Sequence, residues 1–426
     1  MHFCFERRIV LLTIGIGFVI LITLIILKVS IVIAAPLSSI VILYLNNLNI
    51  LEILNGQYLP GFAAFVQDYL FIFLLSAILG KIMEESDDAT SIGEFLLDVL
   101  SYRYAAIGIF FASVLLSLGG ISAFVLIFTI YPIAKTVFEE AKLPKSLILA
   151  SIAGGNVVVG LTLPGSPQVH NLIMMDYLNT SSLAGLGLGL VSVSTGALAA
   201  ILYLKYRSSS YLSEAEANRT SIFKKPDSDK LMNFITAMLP LLTVFILLAV
   251  LAKDPVIALL LGVVVSIIKN FRKVDLLELL NDSISNAVLP LMFAASAMGF
   301  GRVISSLPVF KEFLQTLLNL PLHPYLLVGI ITNIAAGLLG SASGGMLLTL
   351  STVGENIVQL VNIEELHRII IIASTGLDTL PHNSAYLAML AYTGLKFRET
   401  YFDYCVVTVI APLISFGVAF VFALNF

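Results

Sequence analysis

The chain has no tryptophan, two cysteines and little charge: Asp, Glu, Lys and Arg together make up 12% of its 426 residues. Soluble globular domains carry about 25% charged residues, so this composition excludes an ordinary water-soluble fold. Without Trp, any aromatic belt at a membrane surface rests on the 15 tyrosines. Cys4 and Cys405 stand near opposite ends of the chain and fit neither a disulfide framework nor a metal-ligand spacing. There is no H-E-x-x-H for zinc. No basic stripe interleaved with aromatics suggests nucleic acid. Neither a metal nor another cofactor is expected.

What is present is apolar. Hydrophobic residues make up 58% of the chain, and the mean hydropathy is +1.00. Runs of about twenty apolar residues recur throughout, the signature of an all-α polytopic membrane protein embedded in a lipid bilayer. Ile9 to Leu27 follows Arg7 and Arg8 but is long and lacks a small-residue cleavage site, so it reads as a first span and not as a leader peptide.

One stretch organises the rest: Ser374 to Leu390, S-T-G-L-D-T-L-P-H-N-S-A-Y-L-A-M-L. Pro381 removes a backbone donor and clashes with the preceding turn, so an apolar helix breaks there. Within a membrane such a break is tolerated only where protein or a water-filled cavity covers it. Asp378 and His382 stand at the break, and ionisable residues at such depth mark function by default. The plain alternative is a proline kink with a satisfied polar pair.

The stretch has a twin. Thr162-Leu163-Pro164-Gly165-Ser166-Pro167 matches Thr379-Leu380-Pro381-His382-Asn383-Ser384, and upstream Leu118-Gly119-Gly120-Ile121-Ser122 matches Leu339-Gly340-Ser341-Ala342-Ser343. Both matches are offset by about half the chain and run in the same order. Weak internal symmetry with Gly/Pro-interrupted apolar segments in corresponding places points to a transporter site. The arms around each Gly/Ser segment, Ala105 to Phe138 and Pro324 to Val361, are short for full spans and fit re-entrant hairpins.

Arg207 to Lys230 is the longest polar segment. It divides the chain into a first repeat (1–206), a linker (207–232) and a second repeat (233–426). Each repeat then holds about five transmembrane spans, a re-entrant hairpin and a broken helix, and an odd number of crossings makes the repeats inverted. Placing the linker in the cytoplasm puts most Lys and Arg on the inner side, as the charge bias requires, although Arg7 and Arg8 fall outside. In detail, Asn46 to Pro60 reads as a polar loop before a span from Gly61 to Met83. Val274 to Leu280 reads as an interfacial helix separate from a span from Ser283 to Phe300. Ser91 to Leu100 and Phe310 to Leu320 read as amphipathic segments, and Arg368 as a residue outside the span that opens at Ile369.

The segments Leu163 to Gln168, Gly340 to Gly345 and Gly376 to Asn383 resemble the gluconate permease family, which is similar in plan to the wider ion-transporter superfamily of organic-anion carriers. The resemblance implies proton-coupled uptake of small organic acid anions, gluconate-like hydroxy or keto acids, with sodium as the alternative coupling ion. It also implies an elevator-type transporter with a scaffold, a mobile domain of hairpins and broken helices, a homodimeric assembly and a place in the cell's inner membrane. Two positions depart from the family's pattern: Ser384 stands where Gly follows the His-Asn pair, and His170 where a neutral polar residue is expected.

Hairpin tips and helix starts aim N–H groups and positive dipole ends at a carboxylate. The substrate-binding candidates are therefore Ser122, Thr162, Gly165, Ser166, Ser341, Ser343, Gly344, Thr379, Asn383 and Ser384, with Asp378, His382 and His170 as proton carriers. No Lys or Arg lies in these segments, so the site is expected to work without a buried arginine and to reject phosphate-rich ligands. Two rival classes stand beside this reading, a passive channel and an intramembrane hydrolase. Asp378 with His382, or Ser343 with a His, would form a catalytic pair. Against the hydrolase, Ala342 occupies the nucleophile position of a would-be G-x-S-x-G.

Overall fold

The computed structural model describes residues 13, 15–25, 27, 29–92, 95, 104–121, 123–211, 228–251, 253–307, 321–351, 357–381 and 383–424. These residues are helical with no strand among them, and five of their helices are long and apolar enough to cross a membrane. Up to the linker the order is α1 (Gly15–Ile25), α2 (Ile31–Leu45), α3 (Ile50–Glu85), α4 (Ala105–Ser117), α5 (Ala123–Glu140), α6 (Ser146–Gly160), α7 (Val169–Leu178) and α8 (Leu186–Ser209). After it come α9 (Ser228–Leu248), α10 (Pro255–Asn270), α11 (Leu276–Ser306), α12 (Pro324–Leu339), α13 (Ala342–Thr349), α14 (Ile363–Ser374), α15 (Ser384–Thr393) and α16 (Phe397–Ala423).

Short polar side chains start several of these helices by accepting a first-turn N–H, which would otherwise have no partner in an apolar surrounding. Ser30 does so for α2, Asn49 for α3, Asp254 for α10, Asp275 for α11 and Asn362 for α14. These caps correct two expectations. Asn49 starts α3 well before Gly61, because the polar residues after it are carried through a π-helical turn, Leu54–Tyr58. That wider turn comes just before Pro60, which has no N–H to donate to the carbonyl of the preceding turn. Val406–Ile410 precedes Pro412 in α16 in the same way. Asp275 likewise starts one continuous α11 in place of an interfacial helix and a separate span. The Phe310 to Leu320 segment and most of Ser91 to Leu100 lie outside the described residues.

The helices pack in two groups. In one, α3 runs along α11, α10 packs against α3 and α9, and α2 packs against α11. Phe18 of α1 meets Phe300 of α11 edge-on, with ring centroids 5.3 Å apart. In the other, α4 packs against α5 and α6, α12 against α13 and α14, and α8 and α16 lie side by side. The groups meet mainly where α13 crosses α11 and α5 crosses α3. Large apolar side chains such as Leu198, Leu202, Leu242 and Ile246 point outward from the long helices, as lipid-facing surfaces require.

Candidate functional site

Two helices are broken as expected. α6 and α7 are separated by residues 161–168, and α14 and α15 by residues 375–383. The two Gly/Ser segments also form turns between helices: α4 turns into α5 through residues 118–121, and α12 turns into α13 at Gly340 and Ser341. Gly340 closes α12 in the left-handed region, φ +57°, where a residue without Cβ is favoured. Gly345 lets the arms of this hairpin close, since a Cβ there would stand 2.5 Å from the backbone of Ala336.

Each break is tied to the tip of its hairpin by a side-chain amide. Gln168 Nε2 donates to the carbonyl oxygens of Ser117 (2.7 Å) and Ile121 (3.0 Å). Asn383 Nδ2 donates to the carbonyl oxygens of Gly340 and Asp378, both at 2.9 Å, while its Oδ1 caps α15 through Tyr386 N. A break exposes carbonyls that a continuous helix would satisfy, and the two amides supply donors to carbonyls at the breaks and the tips.

The first break is closed from the other half of the chain. Arg368, fully buried on α14, donates to the carbonyl oxygens of Thr162 (3.1 Å), Ser182 (3.3 Å) and Ala184 (2.9 and 3.1 Å) and to Asn171 Oδ1 (3.3 Å). Asn171 Nδ2 donates to the carbonyls of Ser166 and Ser182, so its Oδ1 is the acceptor facing His367 Nε2 at 2.9 Å. His367 therefore carries a proton on Nε2, and its Nδ1 lies 2.7 Å from Thr180 Oγ1. This corrects the placement of Arg368 outside the span. α14 begins at Ile363, and carbonyls of the first break and of the segment between α7 and α8 are the arginine's solvent. A buried arginine does stand behind the site.

Between the breaks and α11 lies a cavity of about 930 Å³. Of the residues singled out by sequence, Ser341, Ser343, His170, Asp378, Thr379 and Asn383 line it. Ser341 caps α13 by accepting from Gly344 N, and its hydroxyl lies 3.3 Å from that of Ser343. Thr379 Oγ1 donates to the carbonyl oxygen of Thr408, and one carboxyl oxygen of Asp378 is buried with no partner among the described residues. No Lys or Arg lines the cavity.

The other candidates lie elsewhere. Thr162 Oγ1 donates to the carbonyl of Val158 and Ser166 Oγ to that of Gly160, both at 2.5 Å, and Gly165 N–H donates to Ser182 at 2.8 Å. Their donors are used by carbonyls of α6 and by that of Ser182, and Gly344 N–H is used by the cap of α13. Ser384 is the first residue of α15. Ser122 and His382 lie outside the described residues. Sequence reasoning missed Asn156, Gln168 and Tyr404 on one side of the cavity and Ser285 and Asn286 of α11 on the other. Asn156 stood in the apolar stretch before the first break, so a lone amide there was the available signal.

Comparison with known proteins fits this arrangement. A family model described as GntP family permease matches residues 8–425. The chain belongs to the GntP permease family. It is 30% identical to the uncharacterized transporter YxjC of Bacillus subtilis (strain 168), over 93% of this chain and 95% of that one. Its fold is similar to that of the Alcanivorax borkumensis YdaH transporter, whose crystal structure shows an unusual topology. The TM-score is 0.54 at 15% identity, over 86% of each chain. This GntP-family permease is thus a multi-pass membrane transporter and not an enzyme.

Proposed function

We propose that this permease is a secondary active transporter that carries small organic acid anions, gluconate-like hydroxy or keto acids, together with protons by an elevator movement. One observation carries the reading: the buried carboxyl of Asp378, one oxygen of which has no partner among the described residues, shares a cavity with the hydroxyls of Ser341 and Ser343 at the start of α13. Hydroxyls and first-turn N–H groups suit a carboxylate, which is held there and released again because no cationic side chain lines the cavity. Asp378 is the proton carrier of this reading, as an intramembrane carboxyl facing a cavity is suited to be.

The packing supports the movement. α2, α3, α9, α10 and α11 are the scaffold, and the hairpins, broken helices, α8 and α16 are the moving body. The elements before and after the linker follow the same order, and the amides of Gln168 and Asn383 perform the same task in each half. Both support inverted repeats. The test is uptake into proteoliposomes under an imposed proton gradient, with a panel of hydroxy, keto and dicarboxylic acids and a sodium gradient as a separate arm. Accumulation above the external concentration supports the reading. Equilibration without accumulation would make the protein a channel, and sodium-driven accumulation would replace the proton.

A further inference from the structure

Four residues that carry formal charge are buried among the described ones, apart from histidines: Asp88, Asp403, Arg368 and Asp378. Two have partners of opposite sign. Asp88 receives Lys269 at 2.5 Å, and Asp403 receives Arg207 at 2.6 Å. The other two have none among the described residues. Arg368 is surrounded by carbonyl and amide oxygens with no carboxylate among its partners. Asp378 has no Lys or Arg among the residues lining its cavity. The two stand on one broken helix, α14 and the break that follows it, within the group of helices assigned above to the moving body.

We infer that Arg368 is the standing positive charge of the moving body, balanced in turn by ionised Asp378 and by the substrate, so that the cargo is confined to monovalent anions. This rests on the proton-symport reading above. Carbonyl oxygens solvate a guanidinium but do not cancel its charge, and in surroundings of low dielectric an uncancelled charge acts over long distances. In the empty body Arg368 and the Asp378 carboxylate sum to zero. When Asp378 takes a proton, the positive charge is left uncancelled and draws one anionic charge into the cavity. The loaded body is neutral again, and one proton and one monoanion cross together. The titratable groups facing Asp378 are Tyr404 and, across the cavity, His170; His382 follows on the same segment. Among the described residues, the one facing Arg368 is His367, where the adjacent guanidinium disfavours a second positive charge.

The experiment uses the full chain in proteoliposomes with gluconate, glycerate and pyruvate as monovalent probes, and succinate and citrate as polyvalent ones. An outward potassium gradient with valinomycin sets the membrane potential. The expected result is uptake of a monovalent probe driven by a pH gradient and unmoved by potential at zero pH gradient. In exchange of internal for external anion, Asp378→Asn retains activity indifferent to potential, because its loaded body is still neutral. Arg368→Lys behaves as the unsubstituted protein does. Arg368→Gln makes the loaded body negative, so exchange changes about threefold or more per 100 mV imposed. A purely structural arginine would not confer that voltage dependence. Should Arg368→Gln fail to fold, the measurement on the unsubstituted protein still decides. pH-driven uptake that potential shifts severalfold, or uptake confined to the polyvalent probes, overturns the charge balance and leaves symport standing. Uptake that follows sodium and ignores the pH gradient overturns both.

Discussion

The side-chain amide of Asn383 donates to the carbonyl oxygen of Gly340 at 2.9 Å, joining the second break to the tip of its hairpin across 43 residues of sequence. The same side chain caps α15. Asn383→Asp keeps the capping oxygen and loses both donated bonds. A buried carbonyl left without its partner costs about 1–3 kcal/mol. The variant is expected to fold, to melt at lower temperature, and to lose about tenfold or more in uptake at subsaturating substrate. Normal uptake would show that the clamp is dispensable.

Ser343 stands on the cavity side of α13, 3.3 Å from the Ser341 hydroxyl. Leu in its place adds apolar bulk where an anion is to be held. Ser343→Leu is expected to express normally, to be monodisperse in detergent, and to fail in both binding and uptake. Transport at the normal rate would make this hairpin a structural element only.

Asp403 lies buried at the contact of α6, α8 and α16. It accepts from Arg207 Nε (2.6 Å) and Nη2 (3.2 Å), Tyr203 (2.5 Å) and Ser146 (3.1 Å). Removing one partner of a buried pair leaves a charge uncompensated and costs about 3–5 kcal/mol, whereas removing both is far milder. Arg207→Met should therefore melt well below Arg207→Met with Asp403→Asn, measured by thermal unfolding in detergent. Equal melting of the two would show that the pair is not coupled.

The inverted-repeat reading places Ser209, at the end of α8, and Asn47, between α2 and α3, on opposite sides of the membrane. Both are exposed. Single cysteines at these positions, in a variant lacking Cys4 and Cys405, should label from opposite sides with an impermeant maleimide. Labelling from one side would rule out an odd number of crossings between them.

Gly345→Val brings side-chain atoms against the Ala336 backbone and should splay the second hairpin, abolishing uptake. Gly417→Ala, at a glycine with nothing within 4 Å of an added Cβ, is the matched control and should transport normally. Equal activity in the two would show that the close approach of the arms is unimportant.

The sequence by itself determined the class, the two breaks and the helix turns at the two Gly/Ser segments. These follow from local rules: apolar length sets a span, Pro381 and Pro164 interrupt one, and Gly with Ser marks a tight tip. It misjudged the starts of α3, α11 and α14, because polar residues such as Glu52, Asp282 and Arg368 look like loop when their partners are unseen. Only the tertiary structure decided which polar groups face the cavity and which are used up inside the fold. Thr162 and Ser166 match Thr379 and Asn383 in the motif. The first pair bonds to carbonyls of α6, whereas the second pair lines the cavity. The reason is that buried donors and acceptors are satisfied by whichever groups packing brings near, and those of Arg368 come from residues 184 to 206 positions away along the chain. No local pattern encodes such a partner.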